Sequence, residues 1–101
     1  MIRPADLDRA FKTVEAAALR GERCPLNSKN GVVAGLQHGA LPALARAGRV
    51  RIEVYPHNWR VVEIIAGPHR GRCTARPPNH AWRPYRVIDR KGSHYAYEVW
   101  A

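Results

Sequence analysis

Fourteen arginines, five histidines and two cysteines are the residues of this 101-residue chain with most chemistry to offer. Their spacing decides between metal binding, catalysis and the capture of anions. A tetrahedral metal site needs Cys and His at short, repeated intervals. Here Cys24 and Cys73 stand alone, and His38, His57, His69, His80 and His94 are scattered, so no metal is expected. Catalysis would call for a carboxylate pair, a nucleophile beside a base, or a glycine loop cradling phosphate, and none is legible. His80 and Trp82, with Arg76 and Arg83, have no carboxylate nearby to hold a metal, and the aromatics there read as core. The chain is not expected to be an enzyme or to need a cofactor.

Arginine is the stronger signal. Seventeen Lys and Arg face eight Asp and Glu, a formal charge of +9. A surplus of that size on a small domain favours a polyanionic partner, most often nucleic acid. The charge is also uneven: five basic residues up to Arg23 nearly balance Asp6, Asp8, Glu15 and Glu22. Between Glu63 and Asp89 no acid occurs, while Arg70, Arg72, Arg76, Arg83 and Arg86 do. A planar, forked guanidinium suits phosphate and guanine edges better than a lysine ammonium. A GC-rich coding sequence would also enrich arginine, and both causes can act together. With 46% hydrophobic residues, the composition is that of one folded domain rather than a disordered chain. No apolar run is long enough to span a membrane, no secretion signal opens the chain, and lone cysteines suit a reducing compartment. A cytoplasmic, nucleoid-associated protein is expected.

The elements that must position these arginines follow from periodicity. Pro4 and Asp6 open a helix whose apolar stripe is Leu7, Phe11, Val14 and Ala18, with Ala10 and Ala17 alongside and Gly21 at its end. Asn27 or Ser28 caps a second helix carrying Val32, Val33 and Leu36. After the Gln37-His38-Gly39 turn, a third has Leu41, Leu44 and Ala45 inward and stops at Gly48. Val50, Ile52 and Val54 then alternate with polar residues, Pro56-His57-Asn58 turns, and the chain returns through Trp59 to Ile65. The returning strand is apolar on both faces, so its register stays open and something C-terminal should cover it. Residues 66–81 form a basic loop, and 82–101 a second hairpin, Arg86 to Asp89 against His94 to Trp100. The fold class is α+β: three N-terminal helices followed by a β-hairpin wing and a second C-terminal hairpin.

That order, with Leu44-Ala-Arg-Ala-Gly-Arg-Val-Arg-Ile52 emptying a helix into a basic hairpin, resembles the winged helix-turn-helix family of small prokaryotic DNA-binding regulators. The resemblance covers residues 6–65. It implies that Ser28, Lys29 and Asn30 hold phosphate and that Gln37, His38 and Arg46 lie nearest the bases. It also implies that Arg51, His57, Asn58 and Arg60 sit on the wing. The sequence departs from the family in its third helix, where Ala40 to Ala45 offers no polar reader. Readout then falls to Gln37 and His38, or the helix packs against a protein partner instead.

The segment Arg70-Gly71-Arg72 resembles the core of an AT-hook, in which an extended Arg-Gly-Arg lies along a narrow minor groove. Cys73 stands where that motif has proline, and a solvated basic loop is the alternative; Arg76 beyond it could bind backbone phosphate in either case. The function expected is a DNA-binding transcriptional regulator whose partner is double-stranded DNA, with a homodimer if the target is palindromic. Two other classes stay open. One is a protein-interaction module on the same scaffold. The other is an RNA-binding domain using Tyr95, Tyr97 and Trp100, though alternation puts Trp100 on the face opposite the tyrosines.

Overall fold

The computed structural model describes residues 3–25, 40–79, 81–84, 86–89 and 92–95, with the side chains of 58, 89 and 92–95 outside that description. Helix α1, Pro4–Leu19, starts with proline in its first turn and buries Ala10, Phe11, Val14, Ala17 and Ala18, the stripe the spacing predicts. Asp6 sits in the same first turn and is nearly buried. It accepts hydrogen bonds from Arg9 Nη2 at 2.7 Å and Arg3 Nε at 3.2 Å. The Arg9 bond, helped by Arg3 and opposed by desolvation, holds the Asp6 carboxyl below the usual carboxylate value.

Helix α2, Ala40–Arg46, buries Ala40, Leu41, Leu44 and Ala45. It ends where expected, at Gly48, whose φ of 75° lets Arg49 N–H reach the Leu44 carbonyl and Gly48 N–H the Ala45 carbonyl. That pair of bonds satisfies carbonyls the helix end would otherwise leave open. α1 closes in the same way at Gly21. Arg49 then joins the two layers, its Nη1 2.6 Å from Asp8 Oδ1 and its guanidinium carbon 4.2 Å from the Phe11 ring centre.

Four antiparallel strands follow: β1 Val50–Tyr55, β2 Trp59–Ile64, β3 Arg86–Asp89 and β4 Gly92–Tyr95. They form one sheet in the order β2-β1-β3-β4. Val50, Ile52, Val54, Val62, Ile64 and Ile88 pack against α1 and α2 in a single core. Burying each such side chain contributes about 1.5–3 kcal/mol. The other face of the sheet holds Arg51, Glu53, Tyr55, Trp59, Val61, Glu63 and Val87.

The expectation of three N-terminal helices followed by a wing and a separate hairpin is therefore corrected. The described residues hold two helices, and both hairpins belong to the same sheet, since β3 pairs with β1 as Ile52 opposite Ile88 and Val54 opposite Arg86. β1 is a central strand, not half of a projecting wing. Its backbone groups on the side away from β2 need partners, and β3 supplies them. The helix expected between Asn27 and Leu36 lies outside the described residues, as do 96–101. The open register of β2 is now fixed. Val62 and Ile64 face the helices, and Val61, 1% exposed, is buried on the opposite face.

Among the described residues, no helix is long and apolar enough to cross a membrane.

Candidate nucleic-acid interface

The β1–β2 hairpin separates the basic residues into two groups. Six residues of strand are about 20 Å long. At the tip end lie His57, Asn58, Arg60, Arg76 and Arg86; at the other, where α2 enters β1 and β2 leaves the sheet, lie Arg46, Arg70 and Arg72. Ser28, Lys29, Asn30, Gln37 and His38 fall outside the described residues.

The tip is a tight 3₁₀ turn, Pro56–Asn58, in which His57 takes a left-handed conformation with φ 60° and ψ 30°. His57 is exposed there, its ring 5.2 Å from that of Trp82. Trp82 is held by a turn: Asn79 Oδ1 accepts from Ala81 N–H at 3.0 Å, and the Asn79 carbonyl from Trp82 N–H at 3.1 Å. Expected as core, Trp82 is instead partly exposed and lines an open cleft of about 240 Å³ with Tyr55, Arg76, Pro77 and Asn79.

Arg76 crosses the sheet face opposite the helices. Its Nη1 lies 3.1 Å from Glu53 Oε1 and 3.4 Å from the Tyr55 hydroxyl. Burial, reinforced by Glu53, pushes the Tyr55 hydroxyl above its ordinary value, so it stays protonated at neutral pH. Arg76 remains largely exposed. Beside this cluster, Trp59 donates from Nε1 to the Ala75 carbonyl at 2.9 Å, and the Arg23 guanidinium carbon stands 4.0 Å from its ring centre.

The two arginines on the hairpin itself differ. Arg51 lies between Glu53 and Glu63, its Nη1 3.7 Å from a carboxylate oxygen of each. With two acids on one cation, it offers little to a phosphate. Arg60 stands on the helix-facing side, opposite Val54, and has no acid partner. Arg86 stands across from the same Val54 in β3. Sequence reasoning counted Arg86 in the acid-free stretch but did not place it at the site; alternation with Val87 and the buried Ile88 was the available signal.

The Arg-Gly-Arg segment does not take the extended form of a minor-groove hook. Residues 68–71 turn, Gly71 adopts φ 94°, and the segment is knitted along the outer edge of β2. Gly71 N–H donates to the Ile64 carbonyl at 2.8 Å, and Ile64 N–H to the Arg72 carbonyl at 2.8 Å. Arg70 Nε donates to the Ile65 carbonyl at 3.1 Å. Further along, Thr74 N–H donates to the Val62 carbonyl and Val62 N–H to Thr74 Oγ1. The Arg70 and Arg72 side chains are exposed, as is Arg46 at the C-terminus of α2. Burial, with Glu63 nearby, pushes the Cys73 thiol up, away from a reactive thiolate. Among the described residues, no three His, Cys, Asp or Glu side chains gather as a metal cage.

Compared with protein-family models, curated proteins and solved structures, the chain matches none.

Arg3, Arg9, Arg20, Arg49, Arg51 and Arg76 each have a carboxylate partner. Arg23, Arg46, Arg60, Arg70, Arg72 and Arg86 have none among the described residues, and Arg23 lies over the Trp59 ring instead. The acids thus neutralise α1 and the middle of the sheet, and leave both ends of the hairpin positive.

Proposed function

We propose that the chain binds duplex DNA by arginine–phosphate contacts and serves as a small transcriptional regulator in the cytoplasm, associated with the nucleoid. Five arginines at the hairpin ends that have no carboxylate partner among the described residues, Arg46, Arg60, Arg70, Arg72 and Arg86, carry this reading. They are distributed over the ends of a hairpin about 20 Å long. Phosphates along one strand of a duplex recur about every 3.4 Å of helix axis, so that length spans about six base pairs. Arg76 and His57 add donors at the tip. Base readout does not rest on α2, whose side chains up to Arg46 are apolar, but on the tip and on residues of the 26–39 segment.

Binding is expected to weaken steeply with salt. If about six phosphates are neutralised, log K should fall against log salt with a slope near −5. Between about 50 and 200 mM salt that is a loss on the order of a thousandfold. Fluorescence anisotropy on a labelled duplex measures it, and an affinity indifferent to salt removes the phosphate-docking mechanism.

The cleft lined by Trp82, Tyr55 and Arg76 favours a second reading, binding of unpaired nucleic acid, because an indole beside a guanidinium suits a stacked base. Single-stranded DNA and RNA competitors of equal length decide between the two: a single strand that displaces the duplex at lower concentration favours the second.

A further inference from the structure

At the tip end the helix-facing side of the sheet changes character. Two residues further in, it presents Val62, Ile52 and Ile88 side by side in the core. At the next row it presents Arg60, Val54 and Arg86. Directly opposed residues of antiparallel strands point to the same face, so both guanidinium groups leave the sheet on the same side. Their Cα atoms stand two strand spacings apart, about 10 Å, a gap that two arginine stems leaning inward can close. Val54 between them is 3% exposed.

Both Nε atoms are buried, and neither has a hydrogen-bond partner. One such donor is unusual in a folded protein, and two adjacent ones of the same charge need an explanation. No carboxylate among the described residues answers them. The acids nearest in register, Glu53 and Glu63, occupy the opposite face and are engaged by Arg51 and Arg76. Leaving two buried donors of like-charged groups without acceptors is unfavourable unless an anion completes the site. The edge of a guanidinium that carries Nε–H is one of the two that bind oxyanions in a forked manner, and here that edge is unused on both arginines.

We propose that Arg60 and Arg86 form a clamp for a single phosphate group, each donating through its Nε edge. Assigning that phosphate to a DNA backbone rests on the reading above; the clamp does not. Arg60 and Arg86 are only partly buried as whole residues, so a rotation of each side chain suffices to bring its Nε edge to an anion from solvent.

The test uses inorganic phosphate and the full chain without nucleic acid. At constant ionic strength set with chloride, phosphate is expected to raise the thermal midpoint of the wild type in a saturable manner. The Arg60→Met, Arg86→Met double variant is expected to lose that response, with an apparent affinity lower by about tenfold or more. Removing two buried, unpartnered Nε donors should leave it at least as stable as the wild type in phosphate-free buffer. Should it fail to fold, Arg60→Lys, which keeps the charge but not the fork, is expected to weaken phosphate by about tenfold. A wild-type midpoint no more sensitive to phosphate than to chloride overturns the clamp, as does an undiminished response in both variants. The same variants in a duplex-binding assay identify the source of the phosphate. A parallel loss of duplex affinity assigns the clamp to the DNA backbone, and an unchanged duplex affinity assigns it to a free phosphate. A wild type that responds to phosphate but binds no duplex supports the clamp and removes the DNA reading.

Discussion

The two ends of the β1–β2 hairpin carry arginine in opposite ways. At the loop end, Arg70 and Arg72 hang from a backbone stitched to β2 by hydrogen bonds at Ile64, and their side chains stay exposed, Arg70 with its Nε on the Ile65 carbonyl. At the tip end, Arg60 and Arg86 rise from the sheet itself, with Nε atoms withdrawn from water and unpartnered. A solvated guanidinium contributes a screened, long-range attraction that does not depend on geometry. A desolvated one contributes a short-range bond, worth more when made and costly when not. The loop end is suited to attracting a polyanion, and the tip end to fixing it.

The largest effect that sharpens this contrast is on duplex affinity. Arg60→Ala with Arg86→Ala is expected to weaken binding by at least about a hundredfold, since two charge-assisted bonds are lost at about 1.5–3 kcal/mol each. Arg70→Ala with Arg72→Ala should cost only about tenfold, because exposed contacts are screened. Losing Arg70 and Arg72 should reduce the salt slope by about two, and losing the clamp, which holds one phosphate, by about one. Equal losses from the two double variants, measured by anisotropy at one salt concentration, would erase the distinction between the ends.

A smaller effect concerns stability. Thr74→Val removes the acceptor of the buried Val62 N–H and is expected to destabilise the fold by about 1–3 kcal/mol. Duplex affinity of the folded fraction should stay within about twofold of wild type, since surface contacts are untouched. Urea titration followed by circular dichroism, run beside the binding assay, separates the two readouts.

The smallest effect is expected midway between the ends. Arg51→Ala should change duplex affinity by no more than about twofold, because Glu53 and Glu63 already compensate that charge. A loss comparable to that of the tip variant would mean that the middle of the sheet is contacted too.

Much of the local structure was legible in the sequence. The stripe from Leu7 to Ala18 gave α1, and Leu41, Leu44 and Ala45 gave the buried side of α2. The alternation of Val50, Ile52 and Val54 gave β1, and Pro56-His57-Asn58 the turn. Periodicity reports which face of an element is buried, but not which strand lies beside which. Nothing in Arg86 to Asp89 announces that it pairs with β1, so the wing was expected to project when it is in fact half of a four-stranded sheet. β2 hid its register because Val61 and Val62 are both buried, one on each face. That ambiguity concealed Arg60, whose side follows only once Val62 is known to face the helices. The Arg-Gly-Arg segment was legible as basic and misleading as a motif. Side-chain identity cannot reveal that the backbone of residues 71 and 72 is hydrogen-bonded to Ile64.

That docking of residues 71–74 on β2 has a bearing on how copies of the chain meet. A free strand edge is a template on which another polypeptide can add a strand, the first step towards aggregation. Here the outward amide and carbonyl groups of Val62 and Ile64 are already occupied by Gly71, Arg72 and Thr74. A second molecule approaching that side would have to strip four hydrogen bonds before forming its own. Molecules crowded together on a polyanion are thereby kept from fusing their sheets along β2, and Arg70 and Arg72 repel the approach as well.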